Sequence, residues 1–203
     1  MSLDADELHR RHMLAAIEAA REGMLSGKGG PFGALITDPA GRVVSVACNE
    51  VLASRDCTMH AEVAALRKVG HLDLRGHTLY ATGFPCVMCL GAILWSRVST
   101  LYYCNDYAMT RAAGFDDEDF MREVGTVFGC TPSVVEEVSL PGLDIRRLAC
   151  RKARPCMRNG RAWRTDSSIR ACCYESYDLF PINRAHRLRM PGKGCLPHAS
   201  SSI

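Results

Sequence analysis

The 203-residue sequence lacks any apolar run of the roughly 20 residues that a membrane-spanning helix requires. It begins MSLDADELHRRHM, without the apolar segment of a secretory signal peptide. No internal repeat is visible, which argues against a repeat architecture. We therefore expect a cytoplasmic protein that neither crosses nor attaches to a membrane.

The composition has no extreme feature that would exclude an ordinary globular protein. Hydrophobic residues make up 47% and charged residues 23% of the chain. The length suits one domain with a tail, because two full domains would each have a small core. The 11 cysteines are interpreted as reduced thiols or metal ligands, since a disulfide framework belongs to secreted chains.

Charge divides the chain into two parts. Residues 146–203 carry 13 Lys and Arg against 3 acidic residues, whereas residues 1–145 carry 12 against 19. We predict a globular domain over 1–145 and a basic, Cys-rich, poorly ordered extension over 146–203, which shows no sustained apolar period. The extension could bind phosphates, be merely solvated, or reflect an altered reading frame. A second metal site is a further alternative; its cysteines would be Cys150, Cys156, Cys172, Cys173 and Cys195.

Hydrophobic periodicity predicts alternating helices and strands in the first part. The predicted elements are a helix over 5–25, a hairpin over 32–48, a helix from about residue 60, strands over 77–83 and 99–105, and between those strands a helix beginning at 85–86. This order predicts a three-layer α/β/α sandwich with a central mixed β-sheet.

Four residues combine into a candidate zinc site. His60 and Glu62 are two positions apart, so they could serve one site only at a helix start. Cys86 and Cys89 are spaced i, i+3 on one face of a helix whose first position is prepared by Pro85. One His and two Cys suit tetrahedral Zn²⁺ with an open fourth position, beside which Glu62 would move protons. This pattern matches the zinc-deaminase signature H-x-E with P-C-x-x-C.

Other readings of these residues remain open. Cys86 and Cys89 could be a redox pair or two reduced core thiols, and His60 could be an ordinary helix-start residue. Glu62 could be a first-turn acid favoured by the helix dipole. The combination of all four favours the zinc site.

The motifs GGPFGALI, CNEV, HAEVAALRK, PCVMCLGAI and AGFDDEDF resemble the cytidine-deaminase-like superfamily, and within it the guanine deaminase and guanosine deaminase branch. The resemblance covers about residues 10–125. The first four motifs are shared with tRNA adenosine deaminases, whereas the Gly-Phe-Asp-Asp segment at 114–117 is typical of guanine-type enzymes.

The resemblance implies roles for individual residues. Those expected to hold zinc are His60, Cys86 and Cys89, with Glu62 as the catalytic proton shuttle. Substrate-binding residues would be Asn49, Asp117, Phe32 and Ala61. Taken alone, Asn49 could be a turn-forming residue, Asp117 a helix-start acid and Phe32 a core aromatic.

The sequence departs from the family in two regions. Phe84 precedes Pro85, where both related branches usually have glutamate. Guanine deaminases of this type also close the pocket with a C-terminal segment exchanged between the subunits of a homodimer. Here a longer Arg- and Cys-rich stretch follows, and only RAWR at 161–164 echoes that segment, with Tyr174 or Tyr177 as nearby tyrosines.

Several functions are compatible with the sequence. The leading one is hydrolytic deamination of a free purine base, guanine to xanthine, in purine metabolism. Alternatives are deamination of a tRNA adenosine, with the basic extension contacting RNA, or of guanosine, cytosine or a triazine. A non-catalytic zinc-binding protein is the remaining alternative.

Overall fold

A computed structural model describes residues 5–115, 117–129 and 140–148 of the chain. Its elements, in order, are α1 (Ala5–Leu25), β1 (Gly33–Thr37), β2 (Val43–Cys48), α2 (Val51–Ser54), α3 (Ala61–Val69), β3 (Thr78–Gly83), α4 (Val87–Trp95), β4 (Thr100–Asn105), α5 (Tyr107–Ala112), α6 (Glu118–Val127) and β5 (Asp144–Arg147). Within these ranges, no helix is both long and apolar enough to cross a membrane.

One five-stranded sheet forms the centre, in the order β2-β1-β3-β4-β5. β1 pairs antiparallel with both β2 and β3, and the last three strands are parallel. The mixed sheet confirms the predicted fold class. β1, β3 and β4 have almost continuous buried patterns, as expected for strands covered on both faces.

Helix α1 covers one face of the sheet. Met13, Ala16 and Ile17 recur at helical spacing and pack against Leu35 and Tyr80. The approach is close, because a Cβ added at Gly33 would collide with the backbone carbonyl of Ala16. The helix predicted over residues 5–25 is confirmed.

Helices α3 and α4 belong to the opposite face. The buried side of α3 consists of Ala61, Ala64 and Ala65, whose small side chains let the helix lie close to the sheet. Ile93 of α4 joins the same cluster. The two helices also contact each other, and side-chain atoms of their N-terminal flanking residues His60 and Cys86 lie 3.5 Å apart.

The sequence prediction missed four elements: α2, α5, α6 and β5. Strand β5 buries mainly Ile145, so it has no alternating pattern to recognise. The predicted boundary after residue 145 falls inside this strand, because Arg146 and Arg147 continue the ladder with Tyr102 and Tyr103. The extension from residue 149 onward, with its cysteines and tyrosines, lies outside the described residues.

Candidate active site

Two helices begin at the site, and each begins with a predicted ligand. His60 is the N-cap of α3 and Cys86 the N-cap of α4, with nearly identical extended backbones (φ −65°, ψ 160° and φ −64°, ψ 168°). The prediction for His60 as a helix-start residue is confirmed. The prediction that Cys86 lies inside its helix behind a first-position Pro85 was wrong, since the helix begins at Val87 and only Cys89 is helical.

The three predicted ligands nevertheless meet. One ligand atom from each of His60, Cys86 and Cys89 lies within 4.8 Å of the others. The distance from Cys86 Sγ to His60 Nδ1 is 3.5 Å. Tetrahedral bonds of about 2.3 Å to sulfur and about 2.0 Å to nitrogen would separate the two atoms by roughly 3.5 Å. The donor set and its spacing therefore fit Zn²⁺.

The contact between the two thiols shifts their pKa values in opposite directions. The hydrogen bond from Cys89 lowers the pKa of Cys86 to about 4, and His60 acts in the same direction. The same contact raises the pKa of Cys89, which is also desolvated. Cys86 is thus a thiolate at neutral pH, the form that binds metals.

Glu62 lies in the first turn of α3, beside the three ligand residues. It is buried, and its Oε2 accepts a hydrogen bond from Cys89 Sγ at 3.5 Å. Burial raises the pKa of this carboxyl from 4.5 to about 7. A buried carboxyl with a pKa near neutrality can both accept and donate a proton, as a general acid–base requires.

Burial alone would lower the pKa of His60. Its contact with Cys86 and the carboxylates of Glu62 and Asp117 outweigh that effect, so the pKa is raised above 6.5. Asp117 therefore lies within electrostatic range of the cluster.

Asn49 follows β2 and is buried. Its Oδ1 accepts hydrogen bonds from the backbone N–H of Gly30 (3.2 Å) and of Val51 (3.3 Å). Gly29 has to be glycine, because a Cβ there would collide with this oxygen. Oδ1 is committed to the backbone, and Nδ2 is the atom of Asn49 left to donate to a bound molecule.

Phe32 and Phe115 connect two distant motifs. Their rings meet edge to face with centroids 5.0 Å apart. This contact joins the GGPFGA segment to the Gly114–Asp117 segment. Phe32 also packs against the core, so its aromatic ring serves packing whatever else it contacts.

Ala61 is fully buried among core residues. Its side chain is enclosed by the core, so its predicted contact with a substrate would have to come from the backbone. The N–H groups of the first helical turn have no partner within the helix and can make such a contact.

Sequence reasoning missed one buried side chain near the ligands, Tyr107. Its hydroxyl donates to the carbonyl of Pro85 at 3.1 Å, and its ring lies 5.2 Å from that of Phe84. Its position in the sequence could have indicated that Tyr107 lies near the ligands. Tyr107 comes just after the carboxyl end of β4, which is parallel to and paired with β3, the strand that leads to Cys86.

Comparisons with known proteins agree with this geometry. Residues 6–105 match the family model of the cytidine and deoxycytidylate deaminase zinc-binding region. The chain is 39% identical to the guanine deaminase of Bacillus subtilis over 120 residues, covering 57% of this chain and 76% of the relative. It is 36% identical to a tRNA-specific adenosine deaminase of Haemophilus influenzae over 121 residues, covering 55% and 69%.

The fold is similar to the crystal structure of the Bacillus subtilis guanine deaminase. The TM-score is 0.54 at 32% sequence identity, over 78% of this chain and 95% of that one. This likeness agrees with the family model and with the clustered ligand atoms of His60, Cys86 and Cys89. The chain belongs to the cytidine-deaminase-like superfamily and is a hydrolytic deaminase of the zinc type.

Proposed function

We propose that this deaminase converts free guanine to xanthine, with Zn²⁺ held by His60, Cys86 and Cys89. In the reaction a water oxygen forms a bond to C2 of the purine and the bond from C2 to the exocyclic nitrogen breaks. One water is consumed and one ammonia is released for each xanthine formed.

The observation that carries the guanine assignment is the contact between Phe32 and Phe115. It places Phe115, which belongs to the Gly-Phe-Asp-Asp motif typical of guanine-type enzymes, against Phe32 of the GGPFGA motif. The 39% identity to a guanine deaminase supports the same substrate.

The chain's own residues supply binding and proton transfer. Zn²⁺ held by His60, Cys86 and Cys89 would lower the pKa of water to about 7 and so supply a nucleophile at neutral pH. Glu62 accepts the proton of the attacking water on its carboxylate. It then delivers that proton to a ring nitrogen of the base, and a second proton to the departing amine.

Asn49 and Asp117 would recognise the base from two sides. Nδ2 of Asn49 donates to an acceptor on the purine, while its Oδ1 stays bound to the backbone. The carboxylate of Asp117 accepts from the 2-amino side. A base without the matching groups would leave these polar atoms unpaired, which gives strong discrimination.

We also propose that the protein is a cytoplasmic homodimer. Leu94 and Trp95, at the end of α4, are 40% and 83% exposed. Apolar side chains exposed together often mark an association surface. Sedimentation equilibrium would test this, and a monomer at micromolar concentration would contradict it.

Ammonia release from guanine, guanosine, adenine, cytosine and an adenosine-containing tRNA anticodon stem-loop tests the substrate. The assay uses zinc-loaded protein, with Glu62→Ala as the inactive control. We expect turnover of guanine alone among the free bases. No turnover of guanine by zinc-loaded, folded protein would refute the assignment.

The second candidate is deamination of a tRNA adenosine. It is favoured by the excess of 13 basic over 3 acidic residues in 146–203 and by the 36% identity to a tRNA-specific adenosine deaminase. Turnover of the stem-loop but not of guanine would establish it. Loss of that turnover at high salt would show that the RNA contact is largely electrostatic, as contacts from a basic extension would be.

A further inference from the structure

The turn before Cys86 is held by residues from the end of β4 and the start of α5. The backbone N–H of Phe84 donates to the carbonyl of Asn105 at 2.8 Å. One residue later, the carbonyl of Pro85 accepts the hydrogen bond of Tyr107 at 3.1 Å. Both Pro85 and Tyr107 are buried, so water does not readily replace this bond.

The Pro85 carbonyl has no donor within helix α4. The first carbonyl used by the helix is that of Cys86, which accepts from the N–H of Leu90 at 2.8 Å. A buried carbonyl without a donor is unfavourable, and the Tyr107 hydroxyl supplies the donor that α4 does not.

The orientation of this carbonyl bears directly on the metal ligand. The Pro85 carbonyl belongs to the planar peptide that joins Pro85 to Cys86. Rotation of that plane would change the φ of Cys86, now −64°, and swing its Sγ away from its position 3.5 Å from His60 Nδ1.

Aromatic packing holds the ring of Tyr107. The ring centroid of Phe84 lies 5.2 Å from that of Tyr107. The same Phe84 ring meets Tyr103 edge to face, with centroids 5.0 Å apart. Tyr103 is completely buried in β4. The Tyr107 ring is thus tied to the core, and its hydroxyl has a fixed position.

The hydroxyl also remains a donor at all relevant pH values. Burial raises the pKa of Tyr107, and the negative charges of Asp117 and Cys86 act in the same direction. The phenol therefore keeps its proton beside an anionic site.

We propose that Tyr107 is a positioning residue of the metal site: its hydrogen bond to the Pro85 carbonyl fixes the peptide before Cys86, and with it the thiolate relative to His60. The inference rests on the proposed metal site. It assigns Phe84 a role as well, because this ring replaces the family's usual glutamate and supports Tyr107 by packing.

Tyr107→Phe tests the proposal, since it removes the hydroxyl and keeps the ring. The matched control is Tyr80→Phe, which removes another buried hydroxyl, bonded to His9 Nδ1 at 2.7 Å on the α1 face. The readout is titration of the metal-free full chain with Co²⁺, followed by the thiolate charge-transfer and d–d absorption bands.

We expect Tyr107→Phe to weaken Co²⁺ binding by about 10- to 100-fold and to shift the d–d bands, as losses of groups that orient metal ligands do. Tyr80→Phe should keep the wild-type affinity and spectrum, whatever its melting temperature. Wild-type cobalt binding by Tyr107→Phe would overturn the proposal, and so would an equal loss in Tyr80→Phe. A wild-type protein without the charge-transfer band would instead refute the metal site itself.

Discussion

Asn49 is the residue whose structural and substrate-binding roles can be separated most sharply. In Asn49→Ala the backbone N–H groups of Gly30 and Val51 lose their acceptor. At about 1 kcal/mol per hydrogen bond, the variant should lose roughly 2 kcal/mol of stability. For a chain of this size the melting temperature should fall by about 4–8 °C.

The effect of Asn49→Ala on activity has a different origin. The Nδ2 donor disappears, and an acceptor on the bound base is left unpaired. A lost hydrogen bond together with an unpaired buried partner amounts to roughly 1.5–4 kcal/mol. This corresponds to a loss of about 10- to 1,000-fold in kcat/KM for guanine.

Asn49→Asp is the matched variant. One carboxylate oxygen can still accept from the two backbone N–H groups, while the other replaces the Nδ2 donor with an acceptor. We expect a smaller loss of melting temperature than in Asn49→Ala, and a loss of kcat/KM at least as large. If Asn49→Ala loses stability but keeps kcat/KM within about twofold, Asn49 is only a turn-forming residue and the argument fails.

Three further predictions concern Glu62, the buried His12 of α1 and two glycines. Glu62→Gln should lower kcat by about 10²–10⁴-fold, because it removes the proton transfer. The zinc content, measured by atomic absorption, should not change. A kcat within about tenfold of wild type would exclude the shuttle role. Burial lowers the pKa of His12 below 6.5, so the unfolded chain binds its proton more readily and stability should fall as the pH drops through 6.5. Other groups titrate over the same range, so urea unfolding at pH 7.5 and pH 5 is compared between the wild type and His12→Gln. The wild type should lose more unfolding free energy at pH 5 than His12→Gln does, and an equal change in the two proteins would contradict the reasoning. Gly33→Ala should lower the free energy of unfolding by several kcal/mol, because the added Cβ collides with the backbone of α1. Gly91→Ala has open space around it in α4 and should raise the free energy of unfolding by about 0.5–1 kcal/mol. Similar values for the two variants would refute the predicted packing.

The sequence predicts most of the sheet and both site helices, because these elements have strong local patterns. Helix α1 has apolar residues at helical spacing, and β1, β3 and β4 are short apolar runs bounded by turns. The rest depends on contacts between distant residues. Strand β5 is defined by its pairing with β4, and three of its four residues are not buried, so no local pattern marks it.

The candidate site could be predicted in its composition but not in all of its geometry. The spacing of His60, Glu62, Cys86 and Cys89 identifies the cluster that the fold assembles. The position of Cys86 outside its helix and the hydrogen bond from Tyr107 could not be predicted in this way. Both depend on how the end of β4 packs against the turn after β3, which is a long-range contact.

The two helix starts at the site lack the side-chain cap that α5 has, and the starts of α2 and α6 lack it as well. At α5 the N-cap Asp106 accepts a hydrogen bond from the N–H of Met109 at 2.8 Å, which stabilises the helix in the usual way. At α3 and α4 the N-caps are His60 and Cys86, and neither side chain makes a capping hydrogen bond. Each missing cap costs about 1 kcal/mol. The side chains turn instead toward one another, and the positive ends of both helices favour the thiolate of Cys86 and the carboxylate of Glu62. The residue types and their convergence, rather than the missing caps, therefore indicate function: His60 and Cys86 meet at two helix starts where stability alone would favour Ser, Thr, Asp or Asn.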